Sequence, residues 1–150
     1  MRSLKVASSY LRQAKARLED AVEALQEQNH PYAVRLSQEC VELSLKAVLR
    51  AVAIEYPRVH EVSDILPEIK DRFPEWFRGE IEFLQESSRS LFKKREPSLY
   101  GDQAGILSPD EVMSSSDAED GVRRATRTYE LCQRLVSELE SKISCGKQVP

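Results

Sequence analysis

At 150 residues the chain is long enough to bury one shared core without disulfide staples, and it needs no second domain. Its 41% hydrophobic and 31% charged residues suit a folded domain with a well-solvated surface and exclude a disordered one. A formal charge of -3 argues against a protein that coats bulk nucleic acid, while leaving room for a local basic patch.

The opening residues lead straight into a charged amphipathic stretch, and no apolar run approaches the roughly 20 residues needed to cross a bilayer, so a cytoplasmic location without membrane contact is expected. Leu4, Ala7, Leu11, Ala14, Leu18, Ala21 and Leu25 recur at steps of three and four, one apolar stripe on a first helix. Asn29-His30-Pro31 breaks it, and Pro31 suits the first turn of the next helix. That second helix, from Tyr32 to about Glu55, carries two stripes, one through Leu36, Cys40, Leu43, Ala47, Ala51 and Ile54, the other through Val34, Val41, Leu45, Val48 and Val52. Two apolar faces make it either the centre of a bundle or a surface for a partner chain.

Tyr56-Pro57-Arg58 should end it, because the residue before proline is pushed out of the α region. A short helix from about Val59 to Asp71 follows, limited by Pro67. Phe73-Pro74-Glu75 opens a further helix whose inward stripe is Phe77, Ile81, Leu84, Ser88 and Leu91. From Glu96 to Ser116 the pattern stops among Pro97, Gly101, Gly105 and Pro109, a long connection of the kind that carries function or stays disordered. Ser116-Asp117-Ala118-Glu119 reads as a capping box for the last helix, apolar at Ala118, Val122, Ala125, Tyr129, Cys132, Val136, Leu139 and Ile143. No segment alternates with a strand period. The expected fold is all-α, an antiparallel up-and-down four-helix bundle with one additional short helix, as a single domain over residues 1–145 with a frayed tail over 146–150.

Cys40, Cys132 and Cys145 are odd in number and widely spaced, so they read as reduced thiols; no metal site and no cofactor is expected. Phosphate loops, zinc-protease motifs and nucleophile elbows are missing from the sequence. Glu42 and Lys46, four apart, share a helix face and form either a plain surface pair or a partly buried one with a role in specificity. His30 and His60 are the two histidines; both sit at helix entries, where a capping role is the simplest one, but as groups that can carry a proton at neutral pH they stay candidates. Arg89, Lys93, Lys94 and Arg95 close the penultimate long helix, where its dipole favours cations. If the following loop folds back, Arg95 would converge with Arg123, Arg124 and Arg127 of the last helix on a phosphate, with Tyr100 as a stacking ring and Asp102 as an acceptor.

The stretch from Ala33 to Ala47, with Ser37-Gln38-Glu39-Cys40-Val41-Glu42-Leu43 at its centre, followed by His60-Glu61-Val62, resembles the HEPN family, the higher eukaryotes and prokaryotes nucleotide-binding domain. Lys94-Arg95-Glu96-Pro97-Ser98-Leu99-Tyr100-Gly101-Asp102 and the later Ser116-Asp117-Ala118-Glu119 are similar to the corresponding region of small archaeal and bacterial members. The resemblance spans about Ser8 to Leu139. It implies a helical, commonly homodimeric module that binds a nucleotide or RNA phosphate, or pairs with a minimal nucleotidyltransferase in a toxin-antitoxin-like system. Other members are metal-independent ribonucleases whose motif is an Arg followed four to six residues later by His. Here Tyr100 stands at the fifth position after Arg95 and no His follows His60. A phenol titrating near 10 is a poor general acid or base at neutral pH, so the non-catalytic reading leads. The alternatives are an endoribonuclease with a degenerate Arg/His site using His60, and a helical assembly subunit with no ligand site.

Overall fold

The computed structural model describes residues 2–55 and 61–148, with side chains as far as residue 144. The expected break at Tyr56-Pro57-Arg58 and the start of the short helix at Val59 and His60 lie outside the described residues. Helix α1 spans Arg2–Gln26 and α2 spans His30–Ala51. Both end by the same device, which sequence periodicity does not reveal. Gln28 and Ala53 take positive φ, and the amides that follow turn back onto the last helical carbonyls: Asn29 N–H donates to Ala24 O and Ile54 N–H to Leu49 O. The second helix therefore stops at Ala51, short of the Glu55 expected from the proline ahead.

A 3-10 helix follows over Val62–Arg72, opened by the Glu61 side chain accepting from Ser63 N–H. Pro67 lacks the N–H that an α-helical ladder would need there. The next rod is divided into α3 (Glu75–Arg78) and α4 (Ile81–Lys93) at Gly79-Glu80. The stretch expected to be loop holds two further helices, α5 (Arg95–Tyr100) and α6 (Pro109–Val112). The prolines that suggest a break stand instead in first turns, where a missing N–H costs nothing. Helix α7 spans Ser115–Gln148, two residues beyond Gly146, the expected start of the tail. Its capping box is formed by Ser114 and Asp117, not by Ser116 and Glu119: Asp117 N–H donates to Ser114 Oγ at 3.1 Å and Ser114 N–H to Asp117 Oδ2 at 3.0 Å.

The architecture is all-α, and among the described residues the lone extended pairing is an isolated antiparallel bridge between Asp102 and Leu107. Helix α2 is the centre. Both of its stripes are covered within the chain: α1 and α7 pack along it, while α4, α5 and the 3-10 helix cover the rest, leaving Val34, Val41, Leu45, Val48 and Leu49 fully buried. Phe77, Leu84, Leu91, Leu66 and Leu135 complete the core. Helices α3–α4 run antiparallel to α7, as the cross-links between them descend in reverse order: Lys94 to Asp117, Ser87 to Arg124, Glu80 to Arg127, Trp76 to Glu138.

Candidate functional site

Where α4 ends, Lys94 turns the chain into α5, and α5 ends at Gly101 with φ 72. A four-residue turn closed by the Asp102–Leu107 bridge then returns the chain to α6 and the start of α7. These pieces enclose a pocket of about 570 Å³, within the range that holds small molecules. Lys94, Glu96, Pro97, Tyr100, Asp102, Val112, Met113 and Asp117 are among its lining residues.

The Lys94 ammonium lies 3.3 Å from Asp117 Oδ1. Asp117 is held below the usual carboxylate range, first by the backbone N–H of Ser114, with a smaller contribution from Lys94 against the opposing effect of burial. Asp102 Oδ1 accepts from the amides of Ala104 and Gly105 at 3.1 and 3.2 Å, so this carboxylate also shapes the turn. Tyr100 lines the pocket and is 60% exposed. Three carboxylates against one ammonium make the lining net acidic. It favours hydrogen-bond donors over an anion.

Of the residues proposed from sequence, Tyr100 and Asp102 line this pocket together, and Arg95, between two lining residues, is exposed. Arg123 and Arg127 are engaged elsewhere. Arg123 Nη2 lies 2.6 Å from Asp120 Oδ1, and Arg127 Nη2 contacts both oxygens of Glu80 at 2.8 and 2.9 Å, with its guanidinium 5.3 Å from the Phe83 ring centre. Arg124 bridges Asp120 and Ser87. Burial alone would raise the Asp120 carboxyl, but Arg124 and Arg123 outweigh it and hold it low. Arg124 and Arg127 therefore tie α7 to the α3–α4 rod and Arg123 pairs within α7, and none of the three lines the pocket. Lys94 and Asp117 are the residues whose part sequence reasoning missed; the displaced capping box hid Asp117.

A second polar cluster lies on α2. Lys46 Nζ is 3.6 Å from Glu42 Oε1, a part-exposed pair. Beside it, the Glu61 carboxylate accepts from the hydroxyls of Ser63 and Ser88. His30 is half-buried at the start of α2, and His60 lies outside the described residues. Cys40 and Cys132 are free, buried thiols; burial pushes Cys40 up to about 12 and likewise raises Cys132. Among the described residues no group of His, Cys, Asp and Glu has metal-binding geometry, and no helix is long and apolar enough to cross a membrane.

The HEPN domain family matches the chain over residues 7–135. The crystal structure of ST0689, an archaeal HEPN homologue, is similar at 27% identity and a TM-score of 0.66, covering 87% of this chain and 97% of that one. TT1696 from Thermus thermophilus, at 20% identity and the same TM-score of 0.66, covers 85% of this chain and 96% of its own and bears on the fold alone. Curated proteins gave no match.

Proposed function

Since the chain belongs to the HEPN domain family, we propose that it is a non-catalytic nucleotide-binding module whose ligand sits in the pocket between α5, the 102–107 turn and the start of α7. The observation that carries this reading is the exposed Tyr100 lining the same pocket of about 570 Å³ as Lys94 and Asp102. The base stacks on Tyr100, while base amino and ribose hydroxyl groups donate to the carboxylates. The phosphates stay outside, toward the exposed Lys93 and Arg95. Among the described residues the lining offers carboxylates, an ammonium, an amide and a phenol, groups that hold a ligand by charge and hydrogen bonds. Calorimetric titration with adenosine monophosphate and with a short oligoribonucleotide tests this. Tyr100→Ala should weaken binding on the order of tenfold and Arg95→Ala should weaken the phosphate-bearing ligands more than adenosine, both without unfolding. Unchanged affinity in both variants removes the site.

A second reading, favoured by a different observation, is protein docking. Of the seven large apolar side chains that stand exposed among the described residues, five fall in one stretch: Phe92, Leu99, Tyr100, Ile106 and Leu107. Ile106 is 90% exposed, although it occupies a positive φ of 56 that a β-branched residue rarely adopts. On this reading the stretch meets a second copy of the chain or a minimal nucleotidyltransferase. Sedimentation of the wild type against Ile106→Glu decides whether it mediates self-association: a wild-type dimer that the variant breaks supports it, and identical sedimentation of both forms rejects it.

A further inference from the structure

The polar cluster on α2 encloses a second, much smaller pocket, independent of the nucleotide site. Gln38, Glu42, Glu61 and Ser88 line it with Val41, Val62 and Phe92. Gln38 is only 4% exposed, and its Oε1 has no hydrogen-bond partner. A buried amide oxygen without a donor keeps the full cost of leaving water, so something with an N–H or O–H belongs beside it. The other polar groups are also acceptors. The hydroxyl protons of Ser63 and Ser88 are both directed at Glu61, which leaves the Ser88 oxygen with lone pairs to offer. Among the described residues Glu42 is paired with Lys46 while Glu61 is held by serine hydroxyls, so one carboxylate of the lining is held by neutral donors.

We infer that this pocket is a site for a primary ammonium group. Its three N–H donors match the Gln38 oxygen, the Glu42 carboxylate and the Glu61–Ser88 pair, and its single charge matches the Glu61 carboxylate. The accessible space of about 20 Å³ admits a head group the size of one water molecule and no more. The alkyl stem leaves past Phe92, whose ring is 46% exposed at the pocket's edge and offers an apolar cover for methylene groups. A divalent metal fits poorly. The Glu61 oxygens are already occupied by serine donors, and no metal-binding group of side chains exists among the described residues. The ammonium comes either from a free amine or from a lysine side chain.

The test uses the full chain labelled with nitrogen-15, following the Gln38 side-chain amide during titration with butylamine, a short diamine, lysine blocked at both backbone ends, and tetramethylammonium. The primary amines should shift the Gln38 resonance saturably, whereas tetramethylammonium, which has charge but no N–H, should not. Glu61→Gln and Glu42→Gln should each weaken butylamine binding about tenfold, the effect of one charged hydrogen bond. Glu42 is part-exposed, so its variant will fold even if the Glu61 variant does not. Tighter saturation by the diamine identifies a free amine as the source, and tighter saturation by blocked lysine identifies a protein side chain. Equal shifts with tetramethylammonium, or no shift with any amine, overturn the proposal and leave a structural water as the occupant.

Discussion

Replacing Gly101 with alanine should dismantle the pocket while sparing the bundle. With φ 72 and ψ -156 the residue sits in a region open essentially to glycine alone, where alanine costs at least about 1 kcal/mol. The larger problem is space. A Cβ there would lie 2.0 Å from Leu107 O, 2.7 Å from Ser108 C and 2.9 Å from Pro109 N, all backbone atoms that cannot rotate aside. The turn must therefore open, which breaks the paired hydrogen bonds between Asp102 and Leu107, each 2.9 Å long and each worth about 1 kcal/mol. The sum is about 3 kcal/mol, or a fall in melting temperature of roughly 6–12 °C for a domain of this size. Thermal denaturation followed by circular dichroism measures the total, and hydrogen exchange locates it. The Asp102 and Leu107 amides should lose protection, those of α2 should keep theirs under native conditions, and nucleotide affinity should disappear with the turn. Retained protection at Asp102 and Leu107 in a variant of wild-type stability would refute the steric argument.

Other consequences can be checked independently. Leu84→Ala, at a fully buried position in α4, should cost about 2–5 kcal/mol in urea unfolding, since the packed core leaves a cavity behind. Trp76→Phe removes the indole N–H that donates to Glu138 Oε2 at 3.0 Å and reduces the ring under Arg134, so it should cost about 1 kcal/mol by the same measurement. Because the Asp117 carboxyl is held below its unfolded value, its contribution is present above about pH 4 and fades as pH falls through the folded value. The stability gap between the wild type and Asp117→Asn should accordingly shrink on acidification below that point; a gap that widens there would contradict the sign. The buried thiols of Cys40 and Cys132 should resist alkylation at neutral pH in the native chain and react on unfolding, which mass spectrometry of quenched samples detects.

The helices are legible in the sequence because burial imposes a period. A stripe such as Leu4, Ala7, Leu11 and Ala14 has few ways to leave water other than one face of a helix, and all four are buried in α1. The two-sided pattern of α2 is legible as burial on two sides but not as burial by what. Periodicity says that a face is covered and nothing about which chain covers it, and only the tertiary structure assigns both faces to this chain's own helices. Helix ends are less legible, since Gln28 and Ala53 adopt a left-handed conformation that neither residue type announces. The short helices α5 and α6 are hidden by their own prolines, because the same residue that breaks a helix interior starts a first turn.

By itself, then, the sequence determined the all-helical class, the order of the long rods and the presence of a basic run with Tyr100 and Asp102 after it. The tertiary structure decided which charges face which. An arginine's reach spans several ångströms and its partner is whichever carboxylate the packing brings within range. Thus Asp120 holds Arg123 along α7 itself, Glu80 holds Arg127 across to the α3–α4 rod, and Lys94 rather than those arginines lines the pocket with Tyr100. One-dimensional spacing fixes the face of a helix, but pairing across helices depends on how two rods are set against each other, and that is a property of the packed core.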